Sequence, residues 1–180
     1  IISSGPLNLP FIQYNNYEIS NFAHPGKESL HNLQYWHLDP YIGIGPGAVS
    51  TLPGKDGTII RFSHQPTIDS YLGGIDRLWG IDDEVITNKD FLFETCMMGF
   101  RLKQGIHKKG FLHRFGISLP DIIPRLWKKW ISAGWVREDS HYYAFTDQGR
   151  FLLNRLLLEL SHDLGQRIIK LSLVQWPESL

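Results

Sequence analysis

The chain has 180 residues, room for one domain or two small ones. Its 42% hydrophobic and 13% aromatic content excludes a disordered chain and predicts a folded core. Eighteen Lys and Arg balance eighteen Asp and Glu, so no global field draws nucleic acid or an anionic membrane.

Residues 1–80 carry four basic and six acidic side chains, and residues 81–180 carry fourteen and twelve, giving −2 and +2. That asymmetry is too small to name a partner. Cys96 is the one cysteine, which excludes a disulfide framework and a Cys-rich metal site within the chain. It lies in an apolar helical pattern, residues 91–98, and reads as a small buried thiol compatible with a reducing compartment. No apolar run approaches the roughly 20 residues of a membrane span. Residues 1–6 lack the basic and apolar segments of a signal peptide, and the expected location is cytoplasmic.

Two textures follow in chain order. Residues 1–65 are rich in Gly, Pro and Asn. Residues 17–22 alternate apolar and polar and predict a strand. Pro25-Gly26 is a turn, residues 27–36 form a short helix, and Pro40 stops it. Residues 41–45 predict a buried strand running into the loop Pro46-Gly47-Ala48. Residues 53–57 are a turn between two short strands, the second at 58–62. After Pro66, residues Ile68, Tyr71, Leu72, Ile75 and Leu78 predict an amphipathic helix that Gly73-Gly74 weakens. Gly80 and the acidic residues 82–84 mark a boundary, dividing the chain into 1–80 and 81–180.

The second part begins with a helix over 88–102, capped by Asn88. Phe111, Leu112 and Phe115 predict a short helix ended by Gly116. Ile122, Ile123, Leu126, Trp130 and Ile131 predict another, with Pro124 in its first turn and Gly134 at its end. Residues 135–137 and 142–145 form a hairpin. Thr146 then caps a helix to about His162, with Phe151, Leu152, Arg155, Leu156 and Glu159 at helical spacing. Helix, helix, hairpin, helix is the order of a winged-helix module.

The most informative stretch holds Tyr-Glu-Ile-Ser-Asn-Phe-Ala at 17–23, His-Asn-x-x-Tyr-Trp at 31–36 and Gly-Ile-Gly-Pro-Gly-Ala at 43–48. In this order and spacing it resembles the haem-chaperone branch of the radical-SAM proteins related to oxygen-independent coproporphyrinogen III oxidase. Glu94-x-x-Met97-x-Gly99-Phe100-Arg101-Leu102 and residues 145–149 resemble that family's C-terminal module. The resemblance implies an α/β then α+β fold. Residues 1–80 would be the C-terminal part of a radical-SAM (β/α) barrel, and 81–180 the family's winged-helix-like domain. It also implies a role in binding and delivering haem to an accepting protein, with the family's S-adenosylmethionine and 4Fe–4S cluster belonging to the full-length protein. Two departures stand out. The cluster motif Cys-x-x-x-Cys-x-x-Cys is absent, and Val49 stands where the family usually has His.

The resemblance assigns haem binding to His31, Asn32, Tyr35 and Trp36, with His31 on the iron. Imidazole is an axial haem ligand, and on a helix His31 and Tyr35 share a face. A buried, hydrogen-bonded histidine is the other fate of such a residue, and His24 and His37 are nearby competitors. Zinc is disfavoured, because no Cys or carboxylate joins these histidines at a ligand spacing.

The resemblance places Gly45, Gly47 and Ala48 against S-adenosylmethionine; a structural tight turn explains the same glycines. The loop is not a dinucleotide fingerprint, since Pro46 interrupts it and no helix follows. Glu18 and Asn21 are either a site carboxylate with its polar partner or an ordinary strand-end pair. No nucleophile triad is readable, and Ser50 lacks a nucleophile elbow.

Residues 103–129 contain seven basic residues against one acidic, Asp121. With a winged-helix order this sustains a rival reading, a stand-alone DNA- or protein-binding module; a solvated helix face and the neutral total charge speak against DNA. A fragment of a genuine oxidase is a further alternative. A barrel remnant would expose a strand edge on which two copies could pair.

With one thiolate the chain should hold no 4Fe–4S cluster. Anaerobic reconstitution with iron and sulfide should give the same spectrum as a Cys96→Ala control; a stoichiometric cluster that depends on Cys96 would contradict this.

Overall fold

The computed structural model describes residues 14–54, 57–73, 82–166, 171 and 174–176. The architecture is mixed α/β, and every strand pair among the described residues is antiparallel.

The chain enters through a two-stranded pair, β1 (Asn15–Asn16) and β2 (Phe22–Ala23). The predicted strand over 17–22 is instead mostly the turn between them, because the Glu18 side chain folds back to accept the Ser20 amide at 2.6 Å. Helix α1 (Leu30–His37) follows, with Ser29 accepting the Asn32 amide as its N-cap. Leu38 adopts a left-handed conformation (φ 51°) and ends the helix two residues before Pro40.

The expected buried strand over 41–45 does not form. Only Tyr41 pairs, with Thr51, while Ile42 and Ile44 are 61% and 85% exposed. Gly43 packs so close to Val49 that a Cβ would sit 2.3 Å from its carbonyl oxygen, and the chain turns rather than extends. The strands are β3 (Val49–Pro53), β4 (Ile59–Ser63) and β5 (Asp82–Ile86), in the order β3-β4-β5. The short helix α2 (Ile68–Gly73) leaves Ile68 and Leu72 exposed and sets Tyr71 edge-on to His64, and Ile75 and Leu78 of the predicted pattern lie outside the described residues.

Helix α3 (Asn88–Gly99) is capped by Thr87, not Asn88; the Thr87 hydroxyl accepts the Asp90 amide at 3.1 Å. Then come β6 (Ile106–His107), α4 (Lys108–Phe115), α5 (Leu119–Ile122), α6 (Pro124–Ser132), β7 (Val136–Glu138) and β8 (Tyr142–Phe145). Pro124 opens α6 and splits the expected single helix in two, because a proline at N1 supplies no amide to the turn before it. The second sheet has the order β6-β8-β7.

The predicted long helix after Thr146 is also two: α7 (Asp147–Phe151) and α8 (Leu153–Gly165). Gly149 presses its backbone on Trp135, where a Cβ would meet the carbonyl oxygen at 2.0 Å, and the chain re-aims at Leu152. The buried stripe is therefore Leu153, Leu156, Leu157, Leu160 and Leu164, and Phe151 is 79% exposed.

One core joins these helices and the second sheet, with Phe91, Phe100, Phe115 and Trp130 fully buried. Phe100 stacks flat on Phe145, ring centroids 4.2 Å apart, tying the end of α3 to β8. Gly105 makes the connection from α3 to β6 possible. It has φ 87°, and a Cβ there would lie 2.1 Å from the Tyr143 carbonyl oxygen. Gly105→Ala should cost about 2–3 kcal/mol of unfolding free energy from strain and displacement of β6 from β8. Urea denaturation measures this, and an unchanged midpoint would show that the connection relaxes freely.

Candidate functional site

Helix α1 presents the His-Asn-x-x-Tyr-Trp residues on two faces. His31 is exposed and meets the Tyr35 ring edge-on at 4.9 Å; Tyr35 in turn meets Tyr41 edge-on at 4.8 Å. His31 is thus not a buried core histidine, and among the described residues its imidazole makes no hydrogen bond. Trp36 turns the other way, against α3, where the Arg101 guanidinium lies 4.6 Å from its ring centroid. The structure groups His31 with Tyr35 and separates both from Trp36. Of the competitors, His24 is tilted against Tyr14 at 4.5 Å, and His37 faces Arg114 at the C-terminal end of the helix.

Arg101 is held by Glu18, which is completely buried. The carboxylate accepts the Ser20 amide and hydroxyl, the Asn21 side-chain amide at 2.8 Å and Arg101 at 3.2 Å. Burial alone would raise its pKa, but the two Ser20 bonds and the Arg101 charge outweigh that and hold it below the usual carboxylate range. The Glu18 backbone carbonyl is bonded by Asn16 and by Arg150 from α7, and Tyr17 accepts the Lys103 amide. Glu18 and Asn21 therefore act as a structural clasp between the entry turn and the C-terminal module.

The downstream motif residues have the same architectural character. Glu94 grips Arg61 of β4 through two bonds of 3.0 and 2.6 Å, which raises the arginine's pKa and pins α3 to the first sheet. Gly99 admits Ile106, whose side chain would lie 2.5 Å from a Cβ.

In the glycine-rich loop, Gly45 has φ 112° and Gly47 φ 69°. The Gly47 amide donates to Gln65 and the Ala48 amide to Gly45, so both are used within the protein. Space is open on the Cβ side of Gly45. A single buried thiol, Cys96, has its pKa pushed up by burial and does not suit a cluster ligand.

Two of the seven basic residues of 103–129 are paired with carboxylates at short range: Lys108 with Glu138 at 2.6 Å and Lys129 with Glu159 at 2.8 Å. Sequence reasoning missed a cavity of about 280 Å³ between the end of α1, the end of α3 and α4. Trp36, His37, His107, Phe111 and Arg114 line it. No residue spacing could have revealed it, because its walls come from segments far apart in the chain.

Residues 86–152, from the last residue of β5 to the residue after α7, match the model of the HemN C-terminal domain. The chain is 33% identical over 157 residues to the Heme chaperone HemW of Escherichia coli, covering 87% of this chain and 40% of that protein. It is 32% identical over 143 residues to the Heme chaperone HemW of Lactococcus lactis, covering 79% and 36%. The chain thus spans well under half the length of these relatives. In fold it is similar to the E. coli coproporphyrinogen III oxidase HemN, described as a radical SAM enzyme, with a TM-score of 0.54 and 14% identity over 86% of this chain and 38% of that one.

Glu18→Gln should destabilise the fold by about 3 kcal/mol, since it leaves Arg101 beside a neutral amide. The wild-type contribution follows a definite sign. The folded-state pKa is depressed, so the stabilisation is complete above the unfolded carboxylate pKa and is lost as pH falls through the lower folded value. Denaturation curves between pH 7 and pH 3 should therefore converge for wild type and Glu18→Gln at the acid end; parallel curves would remove the carboxylate from this role.

Proposed function

We propose that this chain is the haem-handling portion of a radical-SAM, HemW-like protein, with His31 as the axial ligand. The observation that carries this reading is the exposed His31 imidazole, edge-on to Tyr35, with Tyr41 continuing the aromatic surface. Haem bound there would receive an imidazole nitrogen on iron from His31, while Tyr35 limits the ring's rotation and Asn32 offers an amide from the next position on the same turn. Trp36 belongs to the same motif but acts from behind the helix, by fixing α1 on Arg101. Delivery to an accepting protein fits an exposed ligand, which a buried one would not release readily.

The cluster and S-adenosylmethionine of the family would be held by parts of the full-length protein other than Cys96. Gly45, Gly47 and Ala48 would contribute to S-adenosylmethionine binding only as a loop edge, the open side of Gly45 being the place where a ligand could approach. The antiparallel sheet β3-β4-β5 would close the end of the barrel portion, residues 1–80, although β5 continues that sheet past residue 81. The order β6, α4, α5–α6, β7, β8, with β8 central, supports the winged-helix reading of residues 81–180. The ion pairs of Lys108 and Lys129 and the neutral total charge speak against a DNA-facing module.

Haem titration should give a Soret shift in the parent and a lost or altered one in His31→Ala. His24→Ala and His37→Ala should keep it, and circular dichroism should show all three folded, because an exposed side chain costs little stability on removal. A folded His31→Ala protein with the parental haem spectrum would sink the assignment.

A further inference from the structure

The cavity behind α1 has a composition that the haem reading does not use. Its one deeply buried charge is Arg114 of α4, 9% exposed as a residue. The guanidinium donates to the His37 carbonyl oxygen at 3.1 Å, and its nearest carboxylate oxygen, on Asp39, stands 3.9 Å away. That distance is too long for a hydrogen bond, and Asp39 is partly in water. Phe91 and Trp176 face the guanidinium at 5.6 and 5.8 Å from their ring centroids. A cation with five donors therefore sits among aromatic rings with one hydrogen bond among the described residues and a distant counter-charge. Burial lowers the Arg114 pKa, with Asp39 opposing, as expected of a charge incompletely compensated.

The rest of the wall divides into two kinds. Trp36, Ile106, Phe111 and Tyr142 supply apolar surface, while His37, His107, His113, Gln104 and Gln175 supply polar groups to the lining. The His107 Nδ1 accepts the Gly110 amide as the cap of α4, which leaves its Nε2 for another partner. No group of three metal-ligating side chains is assembled among the described residues, so the imidazoles here are hydrogen-bond donors rather than a cation cage.

We propose that this cavity is a binding site for a small carboxylate on a flat apolar body, the carboxylate on Arg114 and the body between Trp36, Phe111 and Tyr142. A carboxylate matches the guanidinium fork in geometry and supplies a hydrogen-bonded counter-charge, which Asp39 at 3.9 Å does not. The cavity volume, about 280 Å³, lies at the lower edge of the range for ligand pockets and selects a small molecule. The site is separate from the His31 face of α1 and does not depend on haem binding.

The probe is 3-phenylpropionate, titrated into the 180-residue chain without haem and followed by tryptophan fluorescence and by the histidine ring signals in NMR. Saturable binding is expected, with the His107 and His113 signals shifting and those of His24 and His31 unmoved. The neutral 3-phenylpropionamide should bind at least tenfold more weakly, because hydrogen bonds to a charged partner are the strong ones. Arg114→Gln should lose binding to a similar extent. Should that variant fail to fold for want of its bond to His37, Phe111→Leu and the amide comparison on the parent carry the test, both predicting weaker binding. Inorganic phosphate should compete poorly, as it has no apolar body. No saturable binding, equal affinity for acid and amide, or an unaffected folded Arg114→Gln would each overturn the proposal; tight phosphate competition would overturn its apolar half.

Discussion

The buried Glu18 carboxylate organises the molecule. It lies in a turn with almost no secondary structure of its own, yet through Arg101 it reaches α3 and, through its backbone carbonyl, Arg150 of α7. An ionised carboxylate is expensive to bury, and it is tolerated here because Ser20, Asn21 and Arg101 all donate to it. The arginine spends its other face on Trp36, so one charge pair sets the position of α1 as well. The haem-ligand candidate, the entry turn and the C-terminal module are thereby coupled through a single desolvated contact.

That coupling explains why the motif residues fall into two groups. His31 and Tyr35 face outward, where a ligand can reach them, and neither is needed to hold the core. Trp36, Glu94, Gly99, Phe100 and Arg101 face inward and build the joint between α1, α3 and the two sheets. A motif read as one unit in sequence is, in space, a short exposed surface of His31 and Tyr35 mounted on an inward-facing frame.

The joint also creates the cavity. Where α1 ends at the left-handed Leu38 and α3 ends at Gly99, neither helix fills the space above α4, and Arg114 spans it to bond the last turn of α1. The same cation that caps a helix C-terminus is left with donors to spare. Aromatic walls around a partly compensated charge are the features by which clefts select anions with apolar bodies.

The sequence by itself determined the elements whose signals are local. The paired short strands β3 and β4, the hairpin of β7 and β8, Gly116 and Gly134 as helix ends, and Thr146 as a cap all follow from residue type and spacing over a few positions. The haem-chaperone resemblance was legible for the same reason, because His31, Asn32, Tyr35 and Trp36 sit within six consecutive residues. Tertiary structure decided what local pattern cannot. The alternation over 17–22 became a turn in which Glu18 accepts from Ser20 and from the distant Arg101, and Ile42 and Ile44 stayed exposed where Val49 crowds Gly43. The division of the last helix at Leu152 was imposed by Trp135 pressing on Gly149. The split of the motif into outward and inward faces, and the cavity around Arg114, arise from contacts between segments tens of residues apart, where periodicity carries no information.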